Sequence, residues 1–313
     1  MDTVSVARSK PANVYVETLI RAPMDAVWAH SQRPELHERW DLRFTDIDPL
    51  LRATLAEPQR FRYATRLGFG IAITGDGETV GQRDLPDGSR ASALRFGSAH
   101  PLSLIREGSG YWKYVPTTDG VRFLTSYDYE TRFGRAGAAF DRFAFRPLIG
   151  WATAWSFDRL RLWLEQGIEP GQAFRQAVIH GIARVGLAAV FLYQGLVPKI
   201  LGPDPQEIRM LGDVGVPAAN IGQVAVALGI AEILLAVGLL ALWHSRWLPA
   251  ICAAFAIVST AIVAAASPRY LGAAFNPVTL NLSVLCLASI DIVSLHGLPS
   301  AGRCRRMPGA SVS

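Results

Sequence analysis

The sequence predicts an α+β domain, an antiparallel sheet closed by a long helix, followed by an all-α bundle of four transmembrane helices. Uneven charge, uncharged runs of span length and a period-two alternation in the first half all point to it. Half of the 313 residues are hydrophobic and only 18% are charged, which excludes disorder, collagen-like repeats and a disulfide scaffold. Of the 31 basic and 26 acidic residues, only ten fall between 176 and 300, so charge density is about 8% there and about 25% elsewhere. One globular core does not produce that contrast.

The first 12 residues read as a disordered N-terminus, with no apolar run of the kind that a cleavable signal peptide needs. The soluble domain is placed at 13–167. Val14–Ala22 alternates like a strand; Pro23 then opens a short helix, and PELHERWD reads as a second. Strand-like runs follow at Arg60–Leu67, Phe69–Thr74, Ser89–Gly97, Gly110–Pro116 and Val121–Arg132, with turns expected at GDGE, LPDG and TTDG. A long helix closes the domain from about Ala136 to Glu165, ended by Gly167 and Pro170.

Alternation sorts these strands into faces. Arg60, Arg62 and Arg66 share one side of their strand, with Phe61, Tyr63 and Thr65 on the other. Phe123, Thr125, Tyr127 and Tyr129 share a face, as do Trp112 and Tyr114. Rings mixed with hydroxyls line a pocket for an amphipathic ligand as readily as a sheet core. The cavity candidates are therefore Phe61, Tyr63, Trp112, Tyr114, Phe123, Tyr127 and Tyr129. If this domain is an enzyme, its acid–base groups would come from acids such as Glu17, Asp128 or Glu130; its catalytic residues stay unassigned.

After a linker at 168–175, four spans are expected at 179–198, 221–243, 247–267 and 277–296, each close to the ~20 apolar residues that cross a bilayer. Arg184 interrupts the first near one end, where its stem lets the charge reach the headgroups. Four spans put both termini on one side. Arginines before the first span, at 246 and at 303, 305 and 306 make that side cytoplasmic, with 298–313 as a basic tail.

Within this apolar half a few polar residues stand out. Glu232, mid-span, must be protonated, paired or facing a polar cavity. It either makes an interhelical hydrogen bond with Asn281, Thr279 or Ser283, or handles a ligand or a proton. Lys199 snorkels to the interface, or meets an anionic headgroup or a quinone carbonyl. Asn276 caps the helix that Pro277 opens, and Asp291 lies near enough to a span end for solvation.

No HExxH, CxxC or phosphate-binding glycine loop occurs, so no metal or nucleotide site stands out. The six histidines read as surface or interface residues and the three cysteines as apolar filler. Arginines scattered among acids give nucleic-acid binding little support.

The order strand, two short helices, meander and long helix, with IRAPMDAVWAHSQRPELHERWD at the start and WATAWSFDRLRLWLEQG at the end, resembles the START-like, or SRPBCC, polyketide-cyclase superfamily over residues 13–167. That resemblance implies a helix-grip fold, a curved sheet around the long helix, enclosing a cavity for lipids, polyketides, steroids or hormones. It carries over no active-site residue. Residues 176–297 resemble the DoxX-like four-helix membrane family, through LYQGLVPK at 192–199, GIAE at 229–232 and FNPVTLN at 275–281. This second resemblance implies an integral inner-membrane protein and leaves a quinone open as cofactor.

The expected partners are therefore membrane lipids and a hydrophobic small molecule, with a homo-oligomer or redox partner left open. Three functions remain: ligand binding beside the bilayer, a quinone-linked oxidoreductase accessory, and a cyclase-like or hydrolytic enzyme.

Overall fold

A computed structural model describes residues 13–308 except 53, 55, 56, 69, 274 and 275. The expected disorder of 1–12 and the Phe275 position lie outside the described residues. The chain forms two compact units: residues up to Ala173 together with those from Pro299, and Phe174–Leu298.

In the first unit, β1 (Val14–Ile20) is followed by the short helices α1 (Met24–Gln32) and α2 (Pro34–Trp40). Strands β2 (Asp46–Pro49), β3 (Gln59–Gly68), β4 (Ile71–Asp84), β5 (Arg90–Gly97), β6 (Ile105–Thr117) and β7 (Gly120–Thr131) follow. All pairings are antiparallel, in the order β1-β7-β6-β5-β4-β3-β2. The long helix runs as α3 (Gly134–Phe140), a π-helical turn (Asp141–Phe145) and α4 (Arg146–Gln166). This curved sheet with its long helix is the fold class that the sequence predicts.

Three local differences have physical causes. GDGE is not a turn but the interior of β4: a Cβ at Gly75 would stand 2.3 Å from the Tyr63 ring, and one at Gly77 2.4 Å from the Phe61 ring. These glycines make room for cross-strand rings rather than bend the chain. The long helix is unbroken but not α-helical throughout. Pro147 has no N–H for the carbonyl of Phe143, and the turn before it widens. Finally, β2 escapes sequence reading because DIDP buries one residue, Ile47.

The core beneath α4 is aromatic. Phe123 stacks on Phe157 with centroids 4.4 Å apart and on Tyr114 at 5.0 Å, and the buried Trp40 sits edge-on to both Phe123 and Phe157. Among the described residues beyond Leu298, the chain is tied to the first unit. The Ser300 amide donates to Asp158 Oδ2 at 2.8 Å, the Cys304 thiol packs on the carbonyl of Ala154, and Arg305 exchanges both backbone hydrogen bonds with Glu17 at 2.9 Å. The outer edge of β1 is thereby covered.

The second unit consists mainly of α5 (Pro170–Leu196, begun in the first unit), α6 (Pro205–Asp213), α7 (Ile221–Ala241), α8 (Trp247–Ala266) and α9 (Pro277–Ser294). The residues read as a linker are mostly the first turns of α5, with Pro170 at its start. Helical stretches at Pro170–Leu201, Ala218–Ala241, Trp247–Ala266 and Pro277–Ser294 are long and apolar enough to cross a membrane. Their inward sides form a dry cluster including Leu187, Phe191, Leu239, Cys252 and Val284. Large apolar side chains such as Leu234, Val237 and Val293 point outward, as lipid-facing positions do.

Candidate functional site

The first unit encloses a cavity of about 360 Å³ between the concave face of the sheet, the segment after α2 and the start of α4. This lies at the lower end of the range for small-molecule sites, roughly 300–1,000 Å³. Of the seven cavity candidates, Phe61, Tyr63, Trp112 and Tyr127 line it. Tyr114 and Phe123 instead belong to the ring stack beneath α4. Tyr129 is turned to Asp141, to which its hydroxyl donates at 2.6 Å. Alternation groups residues by face, but a strand's period cannot say which inward residues meet another layer and which meet space.

The polar part of the lining comes from residues that sequence reading did not select. His37 and Arg43 both reach the cavity and converge on Asp41. His37 Nε2 donates to Asp41 Oδ2 at 3.0 Å; Arg43 donates from Nε to Oδ1 at 2.9 Å, from Nη2 to Oδ2 at 2.6 Å and from its backbone amide to Oδ1 at 3.0 Å. Burial alone would raise the Asp41 carboxyl, but the Arg43 guanidinium and the His37 N–H outweigh it and hold it well below the usual carboxylate range. The His37 ring is clamped between Trp40, stacked at 5.0 Å, and the edges of Trp112 and Phe44 at 4.8 and 5.3 Å. The signal for this cluster was the i,i+4 spacing of His37 and Asp41 at the end of PELHERWD.

Several other polar groups of the lining are engaged with the protein. Tyr63 donates to the carbonyl of Gly97 at 3.1 Å, and burial pushes its phenol up to about 12. Gln32 donates to the Tyr114 hydroxyl at 2.8 Å, and its carbonyl accepts from Gln82 and Ser92. The Tyr127 hydroxyl pairs with Thr153 at 2.9 Å. No carboxylate occurs among the described lining residues. Glu17 faces Tyr15 and Arg305, Asp128 pairs with Arg146, and Glu130 with Arg106; these acids, suggested for catalysis, do not line the cavity. Next to it, the surface around α3 and the π-helical turn exposes Phe133, Phe140, Phe143 and Leu148, along with Arg135 and Arg142.

In the second unit the structure regroups the polar residues. Glu232 pairs with Lys199, Oε2 to Nζ at 3.0 Å, and not with Asn281, Thr279 or Ser283. Asn281 donates to Ser259 and Thr260 at 3.0 and 2.9 Å. Lys199 does not snorkel. It is buried in the π-helical turn (Val197–Leu201) that follows α5, where it also donates to the carbonyl of Gln194 and to Glu207 Oε1, each at 3.1 Å. Close backbone approach brings this pair together: a Cβ on Gly195 would meet the Gly229 carbonyl at 2.5 Å, and one on Gly229 the Gly195 carbonyl at 2.7 Å. Asn276 caps α9, its side chain accepting from the Thr279 amide at 2.9 Å.

A second cluster corrects three expectations together. Arg184, His180 and Asp291 are not at the interface or in solvent: their side chains are fully buried, with Asp291 at 2.8 Å from His180 Nδ1 and 3.3 Å from Arg184 Nε. Arg184 also donates to the carbonyls of Trp243 and Ser245, at the α7–α8 connection. Sequence distance hid the partnership, since Asp291 lies more than 100 residues from both. Among the described residues there is no group of three or more His, Cys, Asp and Glu placed to hold a metal.

Residues 188–289 match the DoxX-like family, and with four membrane-capable helices they define a membrane protein with a DoxX-like domain. The chain belongs to the family of the uncharacterized membrane protein YndG of Bacillus subtilis (strain 168). It is 48% identical to that protein over 189 residues, 60% of this chain and 69% of the other. Among solved structures it is similar to a STAR-related lipid transfer protein from Xanthomonas axonopodis, with 17% identity and a TM-score of 0.38 over 49% of this chain and 85% of that one. It is also similar to the Zhui aromatase/cyclase from Streptomyces sp. R1128, with 14% identity and a TM-score of 0.37 over 50% and 96%.

Proposed function

We propose that this protein sits in a bacterial inner membrane with both termini in the cytoplasm, where its soluble unit binds a hydrophobic small molecule or lipid beside the bilayer. The observation that carries this reading is the apolar cavity of about 360 Å³ behind the sheet, lined by Phe61, Tyr63, Trp112 and Tyr127. Covalent attachment to four membrane helices keeps the cavity at the surface from which such a ligand comes and raises its effective concentration there. The exposed phenylalanines and arginines around α3 combine apolar side chains with positive charge, the composition of surfaces that insert shallowly among anionic headgroups. Even span number and the arginines flanking the first and last spans support the cytoplasmic orientation.

A quinone-linked role would draw on Lys199 and Glu232, but these hold one another at 3.0 Å, and a quinone carbonyl would have to displace that carboxylate. The cavity therefore takes precedence.

The test is mass spectrometry of lipophiles that co-purify with the full-length protein, against the cavity-filling variant Leu94→Trp. A lipophile retained by the native protein and lost from a folded Leu94→Trp is the expected result. Identical lipophile content in both would overturn the reading.

A further inference from the structure

We propose that His37 is the recognition residue of the cavity and that the ligand is an uncharged lipophile bearing a hydroxyl group, such as a long-chain alcohol or a phenol, rather than a fatty-acid anion. This rests on the ligand-binding reading above and narrows it to one chemical class.

The first consideration is charge. Arg43 is the one side chain with a permanent charge among the described lining residues, and it is already committed. Three of its N–H groups go to Asp41, whose side chain is completely buried. To grip a carboxylate or phosphate, Arg43 would have to leave Asp41 as an uncompensated buried charge, which is strongly unfavourable. The guanidinium and carboxylate cancel, so the cavity offers an anion no net positive charge.

The second is hydrogen-bond direction. Asp41 accepts from His37 Nε2, which fixes the neutral imidazole as the Nε2–H tautomer and leaves Nδ1 with a lone pair. No partner for Nδ1 occurs among the described residues. The rings of Trp40, Trp112 and Phe44 hold the imidazole against rotation. Meanwhile Gln32, Tyr63, Thr125 and Tyr127 spend their hydrogen bonds on protein partners. The lining therefore offers an oriented, unfilled acceptor in mostly apolar surroundings. A ligand O–H satisfies it; a carboxylate, ester or ether has no proton to give.

The test uses the full-length protein in lipid nanodiscs at pH 8, with empty nanodiscs as background. Displacement of the neutral fluorophore N-phenyl-1-naphthylamine is compared for 1-dodecanol, dodecanoate and 1-methoxydodecane. Dodecanol is expected to displace the probe at about five- to tenfold lower concentration than either analogue, the advantage of one buried hydrogen bond. His37→Leu should erase that advantage while leaving the ether unchanged, and His37→Gln, which keeps an acceptor, should restore part of it. Dodecanoate matching or surpassing dodecanol in the native protein would overturn the proposal, and this comparison needs no variant to fold. So would a His37→Leu effect equal for all three compounds, the mark of packing alone. No saturable binding of the fluorophore or of any compound would bring down the cavity reading itself, and this proposal with it.

Discussion

Arg184 Nε and Asp291 Oδ2 face each other at 3.3 Å with both side chains fully buried, joining the first membrane helix to the last. In apolar surroundings, removing one member leaves a charge with no solvent to receive it. Arg184→Ala is therefore expected to destabilise the detergent-solubilised protein by about 3–5 kcal/mol. The double variant Arg184→Leu/Asp291→Leu should lose clearly less. Thermal unfolding followed by intrinsic fluorescence separates the two, and equal losses would contradict a coupled pair.

The crossing of α5 and α7 is set by two glycines. A methyl group on Gly229 would lie 2.7 Å from the Gly195 carbonyl, inside any tolerable contact, while one on Gly222 meets nothing within 4 Å. Gly229→Ala should lower the unfolding temperature by several degrees, and Gly222→Ala should not. The difference between the variants reports the crossing, because helix propensity favours alanine at both positions.

Asp41 makes the stability of the soluble unit sensitive to acid. Its carboxyl titrates below the ordinary carboxylate value in the folded protein, because Arg43 and His37 outweigh the effect of burial. Its contribution is present above an unfolded pKa of about 3.9 and is lost as pH falls from there towards the folded value. The native protein should thus lose stability steeply below about pH 4. Asp41→Asn should be less stable at pH 7 but flatter across that acid window, as thermal melts at successive pH values would reveal.

Cys304 reports whether the segment after Pro299 is in place. Burial pushes its thiol up to about 12, so little thiolate exists at pH 8 and alkylation is slow. Asp158→Ala removes the acceptor for the Ser300 amide and for Arg303. In a background lacking Cys252 and Cys286, it should speed maleimide labelling of Cys304 at least tenfold. Unchanged labelling would mean that Asp158 does not hold the segment.

Phe140→Ser/Phe143→Ser tests the apolar patch beside the cavity. Both rings are exposed, at 57% and 78%, so the protein should fold with unchanged thermal stability. Uptake of a fluorescent lipophile from anionic vesicles should nevertheless slow several-fold. Unaltered uptake would argue against membrane contact through this patch.

Much of this fold is legible in the amino-acid sequence, for identifiable reasons. Alternation is a local signal, so the inward faces carrying Phe61, Tyr63 and Trp112 were legible from a few residues each. The four spans were equally plain, since about 20 uncharged apolar residues have few other uses. What escaped depended on distant partners. His37 and Arg43 become a site only when the sheet closes over α2, and Arg184 looked like an interfacial charge because Asp291 lies more than 100 residues away. Gly75 and Gly77 misled for the same reason: the rings they accommodate belong to another strand. Glu232 stands out in the sequence as a charge that needs a partner, but that partner is Lys199 at the end of the first span and not a residue of the fourth.

Arg305 and Glu17, paired through their backbones, are joined by a chain that threads all four membrane helices. During synthesis the sheet leaves the ribosome before the four membrane helices, and the residues that seal its β1 edge leave it after them. An even number of crossings returns them to the compartment where the sheet is waiting. A chain that failed to insert one span would deliver Ser300, Cys304 and Arg305 to the wrong compartment, with β1 uncovered and Asp158 stripped of two partners. Closure of the first unit's β1 edge is thereby tied to the number of times the intervening helices cross the membrane.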